Sequence, residues 1–273
     1  MKYCVTLGAA GDGRDPRGLG DLAELAEDFG WDGVFLEDYL NYQGQADTAT
    51  YDAWISLAAM ASATSRLHVG MTVSPVPRYM PWDLAAKAVA VDHLSGGRLI
   101  LGVGAGDVAD PTSAAIGEPS DPRTRAELLD EGLAIVTGLW TGEPLHHRGK
   151  YYRIDGLRMT ATPVQEPRIP IWVGGDLLVA GVRRRLAQWD GACVYKGPPG
   201  SGQSVVPDDV RMILDLVIAA RGSADGFDVK ISGVDDSRQL AEYADAGATW
   251  SSTWIPPGTV IEARAVIAAG PPG

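Results

Sequence analysis

The sequence predicts an α/β barrel in which eight parallel strands alternate with helices. Three observations point there. The 273 residues suit the roughly 250 that one such barrel needs. Apolar runs of strand length alternate with amphipathic stretches about eight times along the chain. Strands such as 98–103 (RLILGV) are apolar almost throughout, which marks a strand covered on both faces in a parallel sheet. Two ordinary domains are the competing reading of the length. No charge block or low-complexity linker divides the chain, so residues 1–273 are read as one domain.

Taken in order, Tyr3 to Leu7 is the first strand, and a polar, glycine-rich loop to Arg17 leads into a helix. There Leu22, Leu25, Ala26 and Phe29 recur on one face. Gly33 to Leu36 is the second strand, with Glu37-Asp38-Tyr39 at its C-terminal end. A polar loop from Asn41 to Thr50 precedes a helix marked by Trp54, Leu57, Ala58 and Ala61. Leu67 to Val73 is the third strand. Pro81 opens the next helix in the first-turn position, and Ser95-Gly96-Gly97 stops it, because glycine takes the left-handed conformation that a helix end needs. Arg98 to Val103 is the fourth strand, and Val108 to Ser120 reads as loop.

Asp121-Pro122 resembles an N-cap with a first-turn proline, followed by a helix with Leu129, Leu133, Val136 and Trp140 on its buried face. Glu143 to Arg168 interrupts the alternation and reads as a hairpin excursion outside the barrel. Ile169 to Val173 is the fifth barrel strand. Gly174-Gly175 follows, with Asp176 placed to cap a helix through Trp189. Arg183, Arg184 and Arg185 suit that helix's C-terminal end. Ala192 to Tyr195 is the sixth strand, and Gly197 to Ser204 is a loop of the kind that can cover a barrel mouth. Val210, Ile213, Leu214 and Val217 mark a further helix. Phe227 to Ile231 is the seventh strand, where Asp228 and Lys230 share a face, either as an ion pair or exposed near a strand end. Asp236 to Gln239 and Thr259 to Glu262 resemble capping boxes, and Thr249 to Ile255 is the last strand. About eight units close a TIM (β/α)8 barrel with a hairpin excursion before the fifth strand. Misplacing one unit would leave an open doubly wound sheet.

The net charge is −12, and no basic stripe offsets it, so nucleic acid is not an expected partner. Cys4 and Cys193 lie in apolar runs without CxxC spacing, which suits buried thiols and a cytoplasmic location. The apolar part of the N-terminus is too short for a signal peptide, and no uninterrupted apolar run spans a bilayer.

In such a barrel the chemistry sits at the C-terminal ends of the strands. Those ends hold Gly8, Glu37, Asp38, Tyr39, Thr72, Val73, Ser74, Gly104, Gly106, Gly174, Gly175, Tyr195 and Lys196. Gly104-Ala105-Gly106 either lets a flat or phosphorylated ligand approach the backbone or makes a tight turn. Gly174-Gly175 before a helix is the best phosphate candidate, although Asp176 could cap the same amides and repel an anion. His68, His93, His146 and His147 form no metal-ligand pattern. No GxSxG elbow, Walker lysine or Rossmann fingerprint is present. Side chains for difficult chemistry are scarce, which points to a bound cofactor.

At these residues the chain resembles the bacterial-luciferase-like monooxygenases, a family of flavin- and deazaflavin-dependent oxidoreductases. The likeness is strongest in VSPVPRYMPWDLAAKAVAVDHLSGGRLILGVGAG, in GLWTGEPLHHRGKYYRIDGLRMTATPVQEPRIPIWVGG and in YADAGATWSSTWIPPG. The resemblance implies FMN or the deazaflavin coenzyme F-420 at the barrel mouth, a small organic substrate and a homodimer. It implies the ring beside Thr72, Val73, Ser74, Gly104 and Gly106, and the phosphate at Gly174 and Gly175 near Asp176. It also implies a non-prolyl cis peptide at Thr72-Val73 or Val73-Ser74. The family often carries a histidine after the second strand, where this chain has Glu37-Asp38-Tyr39. Asp38 is expected either as base or hydrogen-bond acceptor or as a mere loop cap, and Tyr39 as a donor. FMN would support monooxygenation and the deazaflavin hydride transfer. The rival readings are a catalytically silent flavin-binding subunit and a non-redox lyase or isomerase built on Lys196.

Overall fold

A computed structural model describes residues 1–45, 47–197 and 201–272. The predicted mouth loop at 197–204 therefore lies partly outside the described residues, as does one position of the 41–50 loop. The first half alternates β1 (Lys2–Gly8), α1 (Pro16–Asp28), β2 (Gly33–Glu37), α2 (Ala53–Ala63), β3 (His68–Pro75), α3 (Pro81–Ser95) and β4 (Leu99–Gly104). After α4 (Pro111–Ala115) and α5 (Pro122–Trp140) comes the hairpin of β5 (Leu145–Arg148) and β6 (Arg153–Leu157). The second half runs β7 (Ile171–Asp176), α6 (Ala180–Leu186), β8 (Gly191–Tyr195), α7 (Pro207–Arg221), β9 (Asp228–Ser232), α8 (Ser237–Asp245), β10 (Trp250–Ile255) and α9 (Val260–Ala268). Eight strands close in the order β1-β10-β9-β8-β7-β4-β3-β2, and every pair in the ring is parallel. The hairpin stands apart from the ring, before its fifth strand, as the sequence predicts.

Local chemistry sets the element ends. Asp15, Asp52 and Asp121 accept amide protons at the starts of α1, α2 and α5, satisfying donors that a helix N-terminus leaves free. Gly96 stops α3 at φ 66°. Thr259 and Glu262 form the expected reciprocal box at α9, whereas Asp236 at α8 makes only its own half, to the Gln239 amide. The barrel interior is filled in its lower part by Cys4, Phe35, Ile100, Trp172 and Trp250. Phe35 stacks on Trp172 with centroids 5.4 Å apart and meets Trp250 edge-on. These rings plug the N-terminal half, and the functional end of such a barrel is the one at the strand C-termini. Among the described residues no helix is long and apolar enough to cross a membrane.

Three local expectations need correction. The predicted loop 108–120 contains α4, capped by Asp110 on the Thr112 amide at 2.9 Å; Asp110-Pro111 repeats the signature that marks Asp121-Pro122. The fifth barrel strand does not end at Val173. It runs through Gly174, Gly175 and Asp176 in register with Cys193, Val194 and Tyr195, and α6 starts only at Ala180 and stops at Leu186, short of Trp189. Asp176 is therefore not a helix cap; its carboxylate accepts from the amides of Leu178 and Gly197, each at 3.0 Å. Asp228 and Lys230 form no ion pair, because Asp228 accepts from Thr249 at 2.8 Å while Lys230 donates to Ser232 at 3.2 Å.

Candidate active site

The walls of the mouth follow from strand register. The peptide between Thr72 and Val73 is cis, at one of the two expected positions, and β3 shifts register against β4 between Met71 and Ser74. The bulge drives the Val73 side chain between two glycines. A Cβ on Gly104 would lie 2.8 Å from Val73 Cγ2, and one on Gly174 would lie 2.5 Å from Val73 Cγ1. Neither position tolerates a side chain while Val73 stands there. Val73 thus fills the space between the two glycines and makes one apolar wall of β3, β4 and β7. Beside it, the buried Thr72 Oγ1 has no hydrogen-bond partner. β4 pairs with β7 only as far as Val103 opposite Val173, so on that side the backbone of Gly174 and Gly175 is not laddered.

Asp38 caps the end of β2 and is 9% exposed. Its Oδ2 accepts from Ser74 Oγ at 2.9 Å and from the Tyr79 hydroxyl at 2.8 Å. Burial pushes its pKa up, against the pull of these two hydroxyls and of Arg78. Arg78 also reaches the Asp38 carbonyl at 3.2 Å and pairs with Glu118 at 2.7 Å. Glu118 in turn holds Arg125 at 2.8 Å, and Arg125 Nε donates to the Ala105 carbonyl at 2.7 Å. One polar chain therefore ties Asp38 to the backbone between Gly104 and Gly106. Tyr39 leans on Tyr42 with centroids 4.9 Å apart. Burial, and then the charge of Glu37, raises its phenol to about 12, so it stays protonated near neutrality and can only donate its proton or accept at oxygen.

Sequence reasoning assigned no role to Glu37 or Lys230. Glu37 ends β2 on the inner face, two and four residues after Phe35 and Gly33. Its Oε2 accepts from the Tyr42 hydroxyl at 3.1 Å and from Trp254 Nε1 at 3.4 Å. Lys230 lies on the inner face of β9 and is 6% exposed. The alternation Asp228-Lys230-Ser232 carried that signal, since side chains two apart share a face. Lys196 is held by both carboxylate oxygens of Asp209 at 2.9 Å, which ties up the amine that a lyase reading needs free. His146 and His147 sit on the hairpin, bonded to Asp155 and Glu131.

Against known proteins, a sequence profile of the luciferase-like monooxygenases matches residues 4–222. An F-420-dependent glucose-6-phosphate dehydrogenase of Microbacterium testaceum is 31% identical over 162 residues, which is 59% of this chain and 47% of that protein. The enzyme of the same description from Kineococcus radiotolerans is 28% identical over 245 residues, 87% of this chain and 70% of that one. The chain thus spans about half the length of the first of these relatives. Among solved structures, an F-420-dependent secondary alcohol dehydrogenase in complex with an F-420–acetone adduct superposes with a TM-score of 0.78 at 14% identity, covering 98% of this chain and 97% of that one.

Proposed function

The chain belongs to the luciferase-like monooxygenase family, and from that membership we propose that residues 1–273 form one barrel domain that binds coenzyme F-420 or FMN at its mouth and oxidises or reduces a small organic substrate. The observation that carries this is the Val73 wall between Gly104 and Gly174. It is apolar, as one face of a tricyclic ring requires, and the unpartnered Thr72 hydroxyl beside it suits the ring's polar edge. The residues present fit such a group. Thr72, Val73, Ser74, Gly104 and Gly106 would line the ring. The unladdered backbone of Gly174 and Gly175 would meet the phosphate. Asp176 is committed to the amides of Leu178 and Gly197 and borders that end without supplying positive charge.

When bound, such a coenzyme supplies two-electron redox chemistry, with oxygen activation in the case of reduced FMN. The chain's own part is positioning. Asp38 holds the end of β2 to Ser74 and, through Arg78, Glu118 and Arg125, to the loop after β4. Tyr39, kept protonated, presents a hydrogen-bond donor toward the mouth. The buried aromatic floor excludes water from below. The F-420 dependence of the two relatives described above favours the deazaflavin. We further read the protein as a cytoplasmic homodimer, with exposed Ile55, Met80 and Trp82 available for the contact; light scattering tests the dimer. The coenzyme is tested by titrating the apoprotein with each compound and following quenching of the compound's fluorescence.

A further inference from the structure

The barrel interior holds two ionisable side chains that the family resemblance leaves without a task. β2 brings Glu37 to the mouth, and β9 brings Lys230 to the same inner face, with β10 and β1 between them in the ring. Register places Ser232 level with Ser252, and Ser252 Oγ lies 2.7 Å from Thr6 Oγ1. A belt of hydroxyls therefore lines the wall between the lysine and the glutamate. Lys230 is nearly buried, yet its ammonium meets only the Ser232 hydroxyl among the described residues. Ser232 itself is exposed at the mouth, and Cys193, on the neighbouring inner wall, is also reached by solvent. An ammonium taken from water without a counter-charge is costly, so a fold that keeps one here has a use for a cation facing the mouth. Glu37 has its Oε2 satisfied by Tyr42 and Trp254, and its Oε1 accepts nothing among the described residues. Burial raises the Glu37 carboxyl, and Trp254, Tyr42 and Lys230 pull against it; no hydrogen bond joins Glu37 to Lys230, whose ammonium donates to Ser232.

We propose that Glu37 and Lys230 are catalytic residues that grip the oxygen of a small alcohol or carbonyl substrate between them. This deepens the function proposed above and rests on it for the electron acceptor. In the oxidising direction the substrate's C–H bond breaks and the hydrogen leaves with both electrons to the oxidised coenzyme. The O–H proton passes to the Glu37 carboxylate as the C=O bond forms. Lys230 keeps its proton and donates a hydrogen bond to the oxygen while negative charge builds there. Glu37 then releases its proton to water at the mouth. Reduction of a ketone runs the same steps backwards. This pair would do the work for which the family's usual histidine after the second strand is absent here.

The test starts with the apoprotein. Trp254 touches Glu37 and is 47% exposed, so its fluorescence, taken as the signal lost in Trp254→Phe, reports the charge on Glu37. The groups facing Glu37 are Tyr39 and Tyr42 from the loop after β2, Trp254 from β10, Lys230 from β9, and Arg14 beyond Tyr42. The titration is expected to show one inflection above the ordinary carboxyl range, absent in Glu37→Gln, moved upward by Lys230→Met and largely kept by Lys230→Arg. No such inflection, or one unmoved in a folded Lys230→Met protein, overturns the pairing whether or not any coenzyme binds. With coenzyme F-420 and a panel of C3 to C8 secondary alcohols, Glu37→Gln is expected to lower turnover about 100-fold or more, remove the low-pH limb of the rate profile, and leave coenzyme affinity within about twofold. A change in turnover under about threefold with the limb intact, or no turnover of any alcohol by a wild type that binds the coenzyme, overturns the proposal. Failure of coenzyme binding with a normal Trp254 titration indicts the proposed function instead.

Discussion

Ser74 Oγ donates to Asp38 Oδ2 at 2.9 Å, joining the end of β2 to the residue that follows Val73 in β3. The Tyr79 hydroxyl meets the same oxygen at 2.8 Å. Replacing Asp38 by Ala strands the buried Ser74 hydroxyl and the half-buried Tyr79 hydroxyl, and an unmet buried donor costs about 1–3 kcal/mol. We expect Asp38→Ala to lose about 3 kcal/mol of unfolding free energy and about tenfold or more in coenzyme affinity, because Ser74 and its bulge lose their anchor. Asp38→Asn, which keeps an acceptor, should lose less of both. Urea unfolding and fluorescence titration measure the two effects.

Val73 and Gly174 are coupled by contact. Gly174→Ala puts a methyl 2.5 Å from Val73 Cγ1, an overlap expected to cost about 1–3 kcal/mol and to weaken coenzyme binding. Val73→Ala removes the obstructing methyls. The double variant should recover most of the loss caused by Gly174→Ala in a double-mutant cycle. Strict additivity would mean that the two side chains do not share the wall.

At the opposite end of the barrel, Glu27 of α1 takes the amides of Ser65, Arg66 and Leu67, the last two at 2.6 and 2.9 Å. Burial alone would raise its pKa, but those amides and the Ser65 hydroxyl outweigh it and lower the carboxyl from 4.5 to about 2. A depressed carboxylate stabilises the fold above its unfolded pKa and loses that contribution as pH falls through its folded one. Glu27→Gln should therefore cost about 2 kcal/mol at pH 7, and the difference from wild type should shrink as acid denaturation is followed from about pH 4.5 toward pH 2.

Lys196 sits between both oxygens of Asp209, so its amine is committed to that pair. Borohydride reduction in the presence of aldehyde or ketone substrates should leave Lys196 unmodified by mass spectrometry. A trapped adduct there would revive the lyase reading.

Much of this architecture was legible in the residues. The apolar run 98–103 and the Gly96 stop lie where the strand and helix end, because both signals are local. The cis peptide at Thr72-Val73 followed from family likeness and not from composition. Gly174-Gly175 was misplaced at a helix start because a glycine pair cannot say whether its strand has ended; only the pairing with β8 decides that. Lys230 escaped for a related reason. In a strand whose neighbours Asp228 and Ser232 are polar too, period-two alternation names a face but not whether that face is inside. Glu37 was visible at a strand end, yet its partner Trp254 lies 217 positions away, and only ring closure brings the two together.

Titration of the purified apoprotein with coenzyme F-420 and, separately, with FMN, following each compound's fluorescence, asks whether the barrel mouth takes a tricyclic ring at all. Saturable quenching by at least one of them at micromolar concentration, with one site per chain and weakened by Gly174→Ala, is the predicted result. Unchanged fluorescence for both up to about 100 μM, near the weak end of specific ligand binding, would contradict it.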